Sequence, residues 1–296
     1  MIALLISVRD EAQFIHANIQ HHLEMGIDRF VFTEICSSDG TRELLQTYEK
    51  DPRFHITYLD DQYPRKYPWK RVMVDIAKKH FGATWMISID ADELLLPKSG
   101  DLKKEMESIS GHGCRINRYN VALSEQITFQ DYYRTNSLFN SPVVAKTNPL
   151  TRAYLKEGKP FPWILGPIDS KVIARADCVE EFTPGGHGVF DGADDERFET
   201  IASNLIILHF PFTTYQRFRN KISNIADFEK MVREINRERP ETGWQWHRWV
   251  RIFEQGEDAL KAEFDRQIIG RKQLSNKKRN GTIRKARSVF NMLAKA

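Results

Sequence analysis

Residues 85–97 read Trp85-Met86-Ile87-Ser88-Ile89-Asp90-Ala91-Asp92-Glu93-Leu94-Leu95-Leu96-Pro97, a short apolar run that delivers three acids to one point. Trp85, Met86, Ile87 and Ile89 suit a buried strand, and such a strand holds nothing that could neutralise acids packed at its end. The expected partner is therefore an outside cation, most naturally a divalent metal. In extended backbone, residues two apart face the same way, so Asp90 and Asp92 can share one ion while Ala91 keeps the approach open. A bare Asp-x-Asp is more often a solvated acidic turn. Here Leu94 to Pro97 closes the acids between two hydrophobic segments, where idle carboxylates would be costly.

Upstream, Ile2 to Val8 is a continuous apolar strand followed by Arg9-Asp10-Glu11. A helical pattern comes next (Phe14, Ile15, Ile19, His22, Leu23) and ends at Gly26. Arg29 to Ile35 reads as a second strand, Ser37 to Thr41 as a turn that caps a helix over Arg42 to Tyr48, and Phe54 to Leu59 as a third strand. Lys70 to His80 has Val72, Met73, Ile76 and Ala77 on one helical face. Strands alternating with helices at this spacing predict an α/β fold with a doubly wound, mostly parallel sheet. Such sheets bind ligands at the carboxyl ends of their strands, where Arg9 to Glu11, Asp39 and Asp90 to Glu93 fall.

Downstream, the spacing predicts a short helix at Leu102 to Ile109 and a strand at Cys114 to Leu123. Loops and short strands should then form the other half of a cleft to about residue 170. Lys171 to Arg175 and Ile201 to Phe210 read as strands joined by a glycine-rich loop over 184–192, and the chain from Thr214 to about 270 reads as helical. Trp244, Trp246 and Trp249 favour packed core over a sugar-stacking or membrane-interface role. Ile283, Ala286, Phe290 and Leu293 recur at helical spacing with Arg284, Lys285 and Arg287 between them. That pattern predicts either a helix lying on anionic lipid or a solvated tail.

The 296 residues are 41% hydrophobic and can bury a substantial core. No apolar run approaches a membrane span, and Met1 to Ile6 is too short for a signal-peptide core. Cys36, Cys114 and Cys178 are scattered and odd in number, which predicts a reducing, cytoplasmic setting. Nine of the 44 basic residues lie beyond residue 269 without an acid, leaving 35 basic against 40 acidic residues before it. A net-acidic body argues against a nucleic-acid binder.

In this order the motifs resemble the family 2 type of glycosyltransferase with the GT-A fold, in the branch whose signature is Asp-x-Asp-Glu-Phe-Leu. The pieces that carry the likeness are Arg9-Asp10-Glu11, Ser37 to Thr41, Asp90 to Leu94, the Lys171 strand, Leu208-His209-Phe210 and Lys221. Asp10 stands where such proteins usually carry Asn, and Leu94 where they carry Phe. The resemblance implies a GT-A-like domain over 1–212, a helical extension over 213–269 and a basic amphipathic tail over 270–296. It implies a nucleoside-diphosphate sugar held by Arg9, Glu11 (or Asp10), Asp39, Lys70 and Asp90. Mn²⁺ or Mg²⁺ would sit on Asp90 and Asp92, with His187 or His209 completing the shell. Such proteins often carry Gln in the helix before the Asp-x-Asp strand; this chain has Arg65, Lys66, Lys70 and Arg71 instead, which would either assist the phosphates or simply lie in solvent. The acceptor would be a glycan or a lipid-linked species, as in bacterial surface polysaccharide assembly at the inner face of a membrane. For the catalytic base, Asp169, Asp191, Asp194 and Glu125 all lie in predicted loops, and Asp169 is preferred because it directly precedes the Lys171 strand. A nucleotidyltransferase is the competing enzyme reading, though the acidic Arg9-Asp10-Glu11 replaces the basic glycine-rich loop it would need. A non-catalytic glycan- or nucleic-acid-binding protein is the other.

Overall fold

The structure, a computed structural model, describes residues 1–61, 68–190, 198, 200–234 and 243–294. Its strands are β1 (Ile2–Val8), β2 (Arg29–Ile35), β3 (Phe54–Leu59), β4 (Trp85–Ser88), β5 (Glu93–Pro97), β6 (Gly113–Asn120), β7 (Pro142–Val144), β8 (Lys171–Arg175), β9 (Glu181–Phe182), β10 (Val189–Phe190), β11 (Ile201–His209) and β12 (Ile283–Lys285). Its α-helices are α1 (Ala12–Met25), α2 (Thr41–Gln46), α3 (Trp69–Asp75), α4 (Leu102–Met106), α5 (Phe129–Thr135), α6 (Thr151–Lys156), α7 (Tyr215–Glu234), α8 (Trp244–Phe253), α9 (Glu257–Gln267), α10 (Arg271–Arg279) and α11 (Ala286–Leu293).

Eight strands form one sheet in the order β3-β2-β1-β4-β8-β6-β11-β5. The half from β3 to β4 is parallel, as the strand-helix alternation predicts. β8 is inserted antiparallel between β4 and β6, and β5 runs antiparallel to β11 at the far edge. The sheet is therefore mostly parallel and GT-A-like, with helices on both faces. β1 shows why it is doubly wound. Ile2, Leu4, Ile6 and Val8 join one apolar layer with α1, whereas Ala3 and Leu5 join the opposite layer with Met73 and Val74 of α3. A third apolar cluster lies among α7, α8 and α9.

The stretch 85–97 thus supplies a central strand, β4, and an edge strand, β5, with Asp90 and Asp92 in the crossing between them. β5 is an edge strand, and its outward backbone groups need partners. α1 supplies them: His21 Nε2 donates to the Leu95 carbonyl at 2.6 Å, and the Leu95 N–H donates to His22 Nε2 at 3.1 Å. Both rings are fully buried, and burial drives their pKa values down, His21 to about 4.

The C-terminal segment departs from the lipid-facing helix and from the solvated tail. Ile283 lies in β12, which pairs antiparallel with β7, and α11 packs against β11. Ile283, Ala286 and Phe290 are at most 2% exposed; Leu293 packs on the same cluster as Ala286 and Phe290, and Ile283 joins the cluster among α7, α8 and α9. The apolar face expected to meet lipid is covered by the protein's own sheet, because the turn of β12 carries that face back onto β11. Among the described residues no helix is long and apolar enough to cross a membrane.

Candidate active site

The chain reverses at the end of β1 through Asp10, whose φ of 54° is unusual for a residue other than glycine. The turn is held by the Asp10 N–H to the Ser37 hydroxyl (3.0 Å), by the Ser38 N–H to Asp10 Oδ1 (2.7 Å) and by the Asn224 amide of α7 to Asp10 Oδ2 (2.5 Å). It sets Glu11 at the start of α1, nearly buried. At the end of β4 the Asp90 N–H donates to Glu93 Oε2 (2.9 Å), folding the acidic crossing onto itself.

Cations from three distant elements meet these acids, so the charge expected from outside is in good part supplied from within. Lys171 of β8 lies 3.0 Å from Glu93 and 3.2 Å from Asp90, and also donates to the Gly185 carbonyl. Arg118 of β6 lies 2.5 Å from Glu93 and donates through Nε to the Asp169 carbonyl at 2.6 Å. Arg217 of α7 grips Glu11 bidentately (2.9 and 2.8 Å) and reaches Asp92 Oδ2 at 2.6 Å. Lys221, four residues on and so on the same helix face, lies 3.3 Å from Asp92 and 3.4 Å from Glu11. Burial alone would raise the Asp92 pKa, but Lys221 and Arg217 hold it well below the ordinary carboxylate value. The same contacts raise the Lys221 and Arg217 pKa values against their own desolvation. Glu11, Asp90, Asp92 and Glu93 are thereby balanced by Lys171, Arg118, Arg217 and Lys221.

A cavity of about 270 Å³ opens over this cluster. Its lining combines Asp90, Asp92, Arg118, Asp169, His187, His209 and Lys221 with the aromatic rings of Trp163, Phe212, Trp244, Trp246 and Trp249. β5 pairs Glu93 with His209, which brings the His209 ring to Asp92. Asn120 Nδ2 donates to the Ile164 carbonyl (3.0 Å), so its amide oxygen accepts from His209 Nδ1 at 2.8 Å. The proton is then on Nδ1, and Nε2 turns a lone pair toward Asp92 Oδ1, 3.8 Å away. Burial lowers the His209 pKa to about 4 despite Asp92, keeping the ring neutral at pH 7. Two acceptors facing each other with no proton between them are the donor set for a cation. Among the described residues no three His, Cys, Asp or Glu side chains form a ready-made cage. Mg²⁺ and similar hard ions are commonly held by one or two carboxylates with substrate phosphates and water completing the shell, so the pair fits such an ion.

The other residues singled out in the sequence divide. His187 lines the cavity with Nδ1 bonded to the Ser170 carbonyl at 2.8 Å. Asp169 also lines it, exposed, and no described residue hydrogen-bonds its carboxylate. Lys70 sends Nζ to the Thr183 carbonyl (3.0 Å), and Arg9 lies 3.9 Å from Asp10. Asp39 accepts from the N–H groups of Ala12 and Thr41 and from the Thr41 hydroxyl, tying the starts of α1 and α2 together. Neither Lys70, Arg9 nor Asp39 lines the cavity. Glu125 is drawn away to Arg271. Arg65, Lys66, Asp191 and Asp194 lie outside the described residues. Sequence reasoning missed Arg118 and Arg217, and gave Lys171 and Lys221 no role. Arg118 offers no local signal; Arg217 and Lys221 carry a faint one, two cations at i, i+4 after a strand ending in His.

The model of a family described as Glycosyltransferase family 92 matches residues 6–242. No curated protein matches the chain in a sequence search. Among solved structures, S. aureus TarS residues 1–349 is similar at 11% identity over 99% of this chain and 91% of that one, with a TM-score of 0.41. The mannosyltransferase PcManGT from Pyrobaculum calidifontis, solved with GDP-Man and Mn²⁺, is similar at 14% identity (99% and 85% covered, TM-score 0.38). Glucosyl-3-phosphoglycerate synthase from Mycobacterium tuberculosis, solved with Mn²⁺, UDP and phosphoglyceric acid, is similar at 15% identity (82% and 80% covered, TM-score 0.38).

Proposed function

The chain belongs to glycosyltransferase family 92, and from that premise we propose that it moves a sugar from a nucleoside-diphosphate donor to a glycan or lipid-linked acceptor in the cavity over Asp90 and Asp92, with Mn²⁺ or Mg²⁺ as cofactor. The observation that carries this reading is the lone-pair face of His209 set against Asp92 Oδ1 beside Lys221 and Arg217. The resident acids and cations balance one another, so an entering diphosphate brings uncompensated negative charge. A divalent ion on Asp92 and His209, with Asp90 beside them, would supply the Lewis-acid charge that matches it. The family 2-type assignment of the Asp-x-Asp-Glu motif to the donor diphosphate is part of this proposal.

Each residue then has a task. Lys221 is partly exposed at the cavity and stabilises the charge that develops on the departing diphosphate. Arg217 holds Glu11 and Asp92 in register and fixes the floor on which the diphosphate rests. Arg118 and Lys171 neutralise Glu93 and orient the Asp90 turn. Asp169, whose carboxylate no described residue hydrogen-bonds, accepts the proton of the attacking acceptor hydroxyl. His187 stands beside it. Asp39 and Arg9, at the ends of β2 and β1, would meet the nucleoside end, and Lys70 lies close to Asp90. Arg271, Lys272, Lys278 and Arg279 of α10 stay exposed and would face an anionic membrane presenting a lipid-linked acceptor.

A thermal-shift panel of nucleoside diphosphates and their sugars, with and without Mn²⁺, tests the reading on wild type and Asp92→Ala. Metal-dependent stabilisation by one nucleotide that is lost in the variant is the expected outcome. No nucleotide response in the folded wild type would refute it.

A further inference from the structure

The pairing of β12 with β7 lays the acid-free end of the chain beside a second basic segment. The N–H groups of Ala145 and Lys146 both donate to the Thr282 carbonyl, at 2.9 and 3.1 Å, so the turn that closes α10 runs alongside the loop leaving β7. That loop and α6 carry Lys146, Arg152, Lys156 and Lys159 against one acid, Glu157, which Lys159 already holds at 2.7 Å. Among the described residues, Lys146, Arg152, Lys156, Lys278 and Arg279 form no ion pair with an acid, and all five are exposed. Two stretches far apart in sequence thus pool their charge on a body that is otherwise net acidic.

Between these cations stands Leu150, 52% exposed. A lone exposed leucine is ordinary. Here Tyr154 follows one turn later, its N–H on the Leu150 carbonyl at 2.9 Å, so the two share a face of α6. Tyr154 packs on Phe161, 5.5 Å between ring centres, and Lys159 Nζ lies 5.1 Å from the Tyr154 ring centre. An exposed leucine, half-buried aromatic rings and lysines whose long stems can run past them make up a surface suited to the headgroup level of a bilayer. A single-stranded nucleic acid would need flat rings left open to bases, whereas Leu150 is aliphatic and Tyr154 is already packed.

The surface also has a direction. Arg152 Cζ lies 5.6 Å from the Trp244 ring centre, and Trp244 lines the cavity over Asp90 and Asp92. The basic segment therefore ends at the cavity wall.

We propose that residues 146–159 and the C-terminal turn of α10 form one docking surface for an anionic phospholipid bilayer, that Leu150 enters its headgroup layer, and that docking sets the Trp244 rim of the cavity against the membrane. This rests on the lipid-linked acceptor of the reading above and supplies the second segment, the anchor and the orientation that α10 alone does not.

The test is co-sedimentation of the full chain with vesicles of phosphatidylcholine, either alone or with about one lipid in three replaced by phosphatidylglycerol. A single-stranded oligonucleotide is the second probe, and melting temperatures and the nucleotide thermal shift are read on the same samples. Wild type should bind the anionic vesicles only, and about tenfold or more weaker when salt rises from about 0.05 to 0.5 M. The pair Lys146→Gln and Lys156→Gln, and the pair Lys278→Gln and Arg279→Gln, should each weaken binding about tenfold or more, and Leu150→Ser about fivefold. Lys50→Gln, in the exposed turn before β3, should bind within about twofold of wild type. Unchanged melting temperatures show that the variants fold. No sedimentation of wild type with anionic vesicles overturns the proposal, as does binding indifferent to both double variants. Full vesicle binding by Leu150→Ser, or an oligonucleotide held as tightly as the vesicles, would make this a general polyanion surface and overturns it too. Failure of the donor reading looks different, as vesicle binding by a wild type without any nucleotide response.

Discussion

Asp92 and Glu263 are each about 1% exposed and each gripped by two cations, yet their surroundings differ. Glu263 of α9 receives Arg248 at 2.6 and 3.1 Å, Arg266, the Trp249 indole N–H at 3.2 Å and the Gln267 amide at 3.0 Å. Its oxygens are satisfied, and it lines none of the cavity over the strand ends. Asp92 gives one oxygen to Arg217 and Lys221 and turns the other into a cavity, toward a histidine lone pair. Burying a charge therefore does not separate a working site from a staple, whereas a buried acceptor left open to a cavity does.

That contrast can be broken first at Glu263. Glu263→Ala leaves the largely buried Arg248 without its carboxylate and the Trp249 and Gln267 donors without an acceptor, and urea denaturation should show a loss of about 3–5 kcal/mol. Activity per folded molecule should stay within about threefold. Asp92→Asn should do the reverse. It keeps the side-chain volume and leaves Arg217 on Glu11, so the melting temperature should hold while turnover falls by about 100- to 1,000-fold, the scale of losing one preorganised charge contact. A variant that unfolds instead would make Asp92 a staple too.

Acid sharpens the comparison from a third place. His21 is neutral in the fold with a pKa near 4, against about 6.5 in the unfolded chain, so the unfolded state binds the proton first. Its stabilisation is full above pH 6.5 and is lost as pH falls toward 4, by about 2 kcal/mol at pH 5 relative to pH 7. His22 is shifted the same way and adds to it. His21→Gln should flatten this slope in a series of denaturant titrations. The smallest effect belongs to Asn120, which orients His209 from behind. Asn120→Ala should weaken Mn²⁺-dependent nucleotide binding by about tenfold without changing binding in metal-free buffer.

The parallel half of the sheet was legible because β1 and most of β4 read as apolar runs, while β2 and β3, which carry Glu34, His55 and Thr57 among apolar residues, recur between helical patterns at the spacing of strand-helix units. The acidic crossing at Asp90 to Glu93 was legible for the same reason, its acids standing between such runs. The partners were not. Arg118 reaches Glu93 only because β6 and β8 lie between β4 and β11, and Arg217 reaches Glu11 from 206 residues away. Nothing within a local window encodes that closure. Leu94 to Leu96 read as a hydrophobic cover but form an edge strand, whose place is set by pairing with β11. In the tail, the helical period of Ala286, Phe290 and Leu293 was real, but a period alone does not say whether the apolar face meets lipid or the chain's own sheet. At Trp244 to Trp249 all three rings line the cavity, and the pattern could not tell that Trp249 is buried while Trp244 and Trp246 stay half-exposed.

The most direct test of the claim that the strand-end cluster is the reaction centre is the rate of nucleoside diphosphate release from the stabilising donor sugar, with Mn²⁺, for wild type, Asp92→Asn and Glu263→Gln at equal folded concentration. Release that collapses in Asp92→Asn and survives in Glu263→Gln is the predicted result; equal rates in wild type and Asp92→Asn would contradict it.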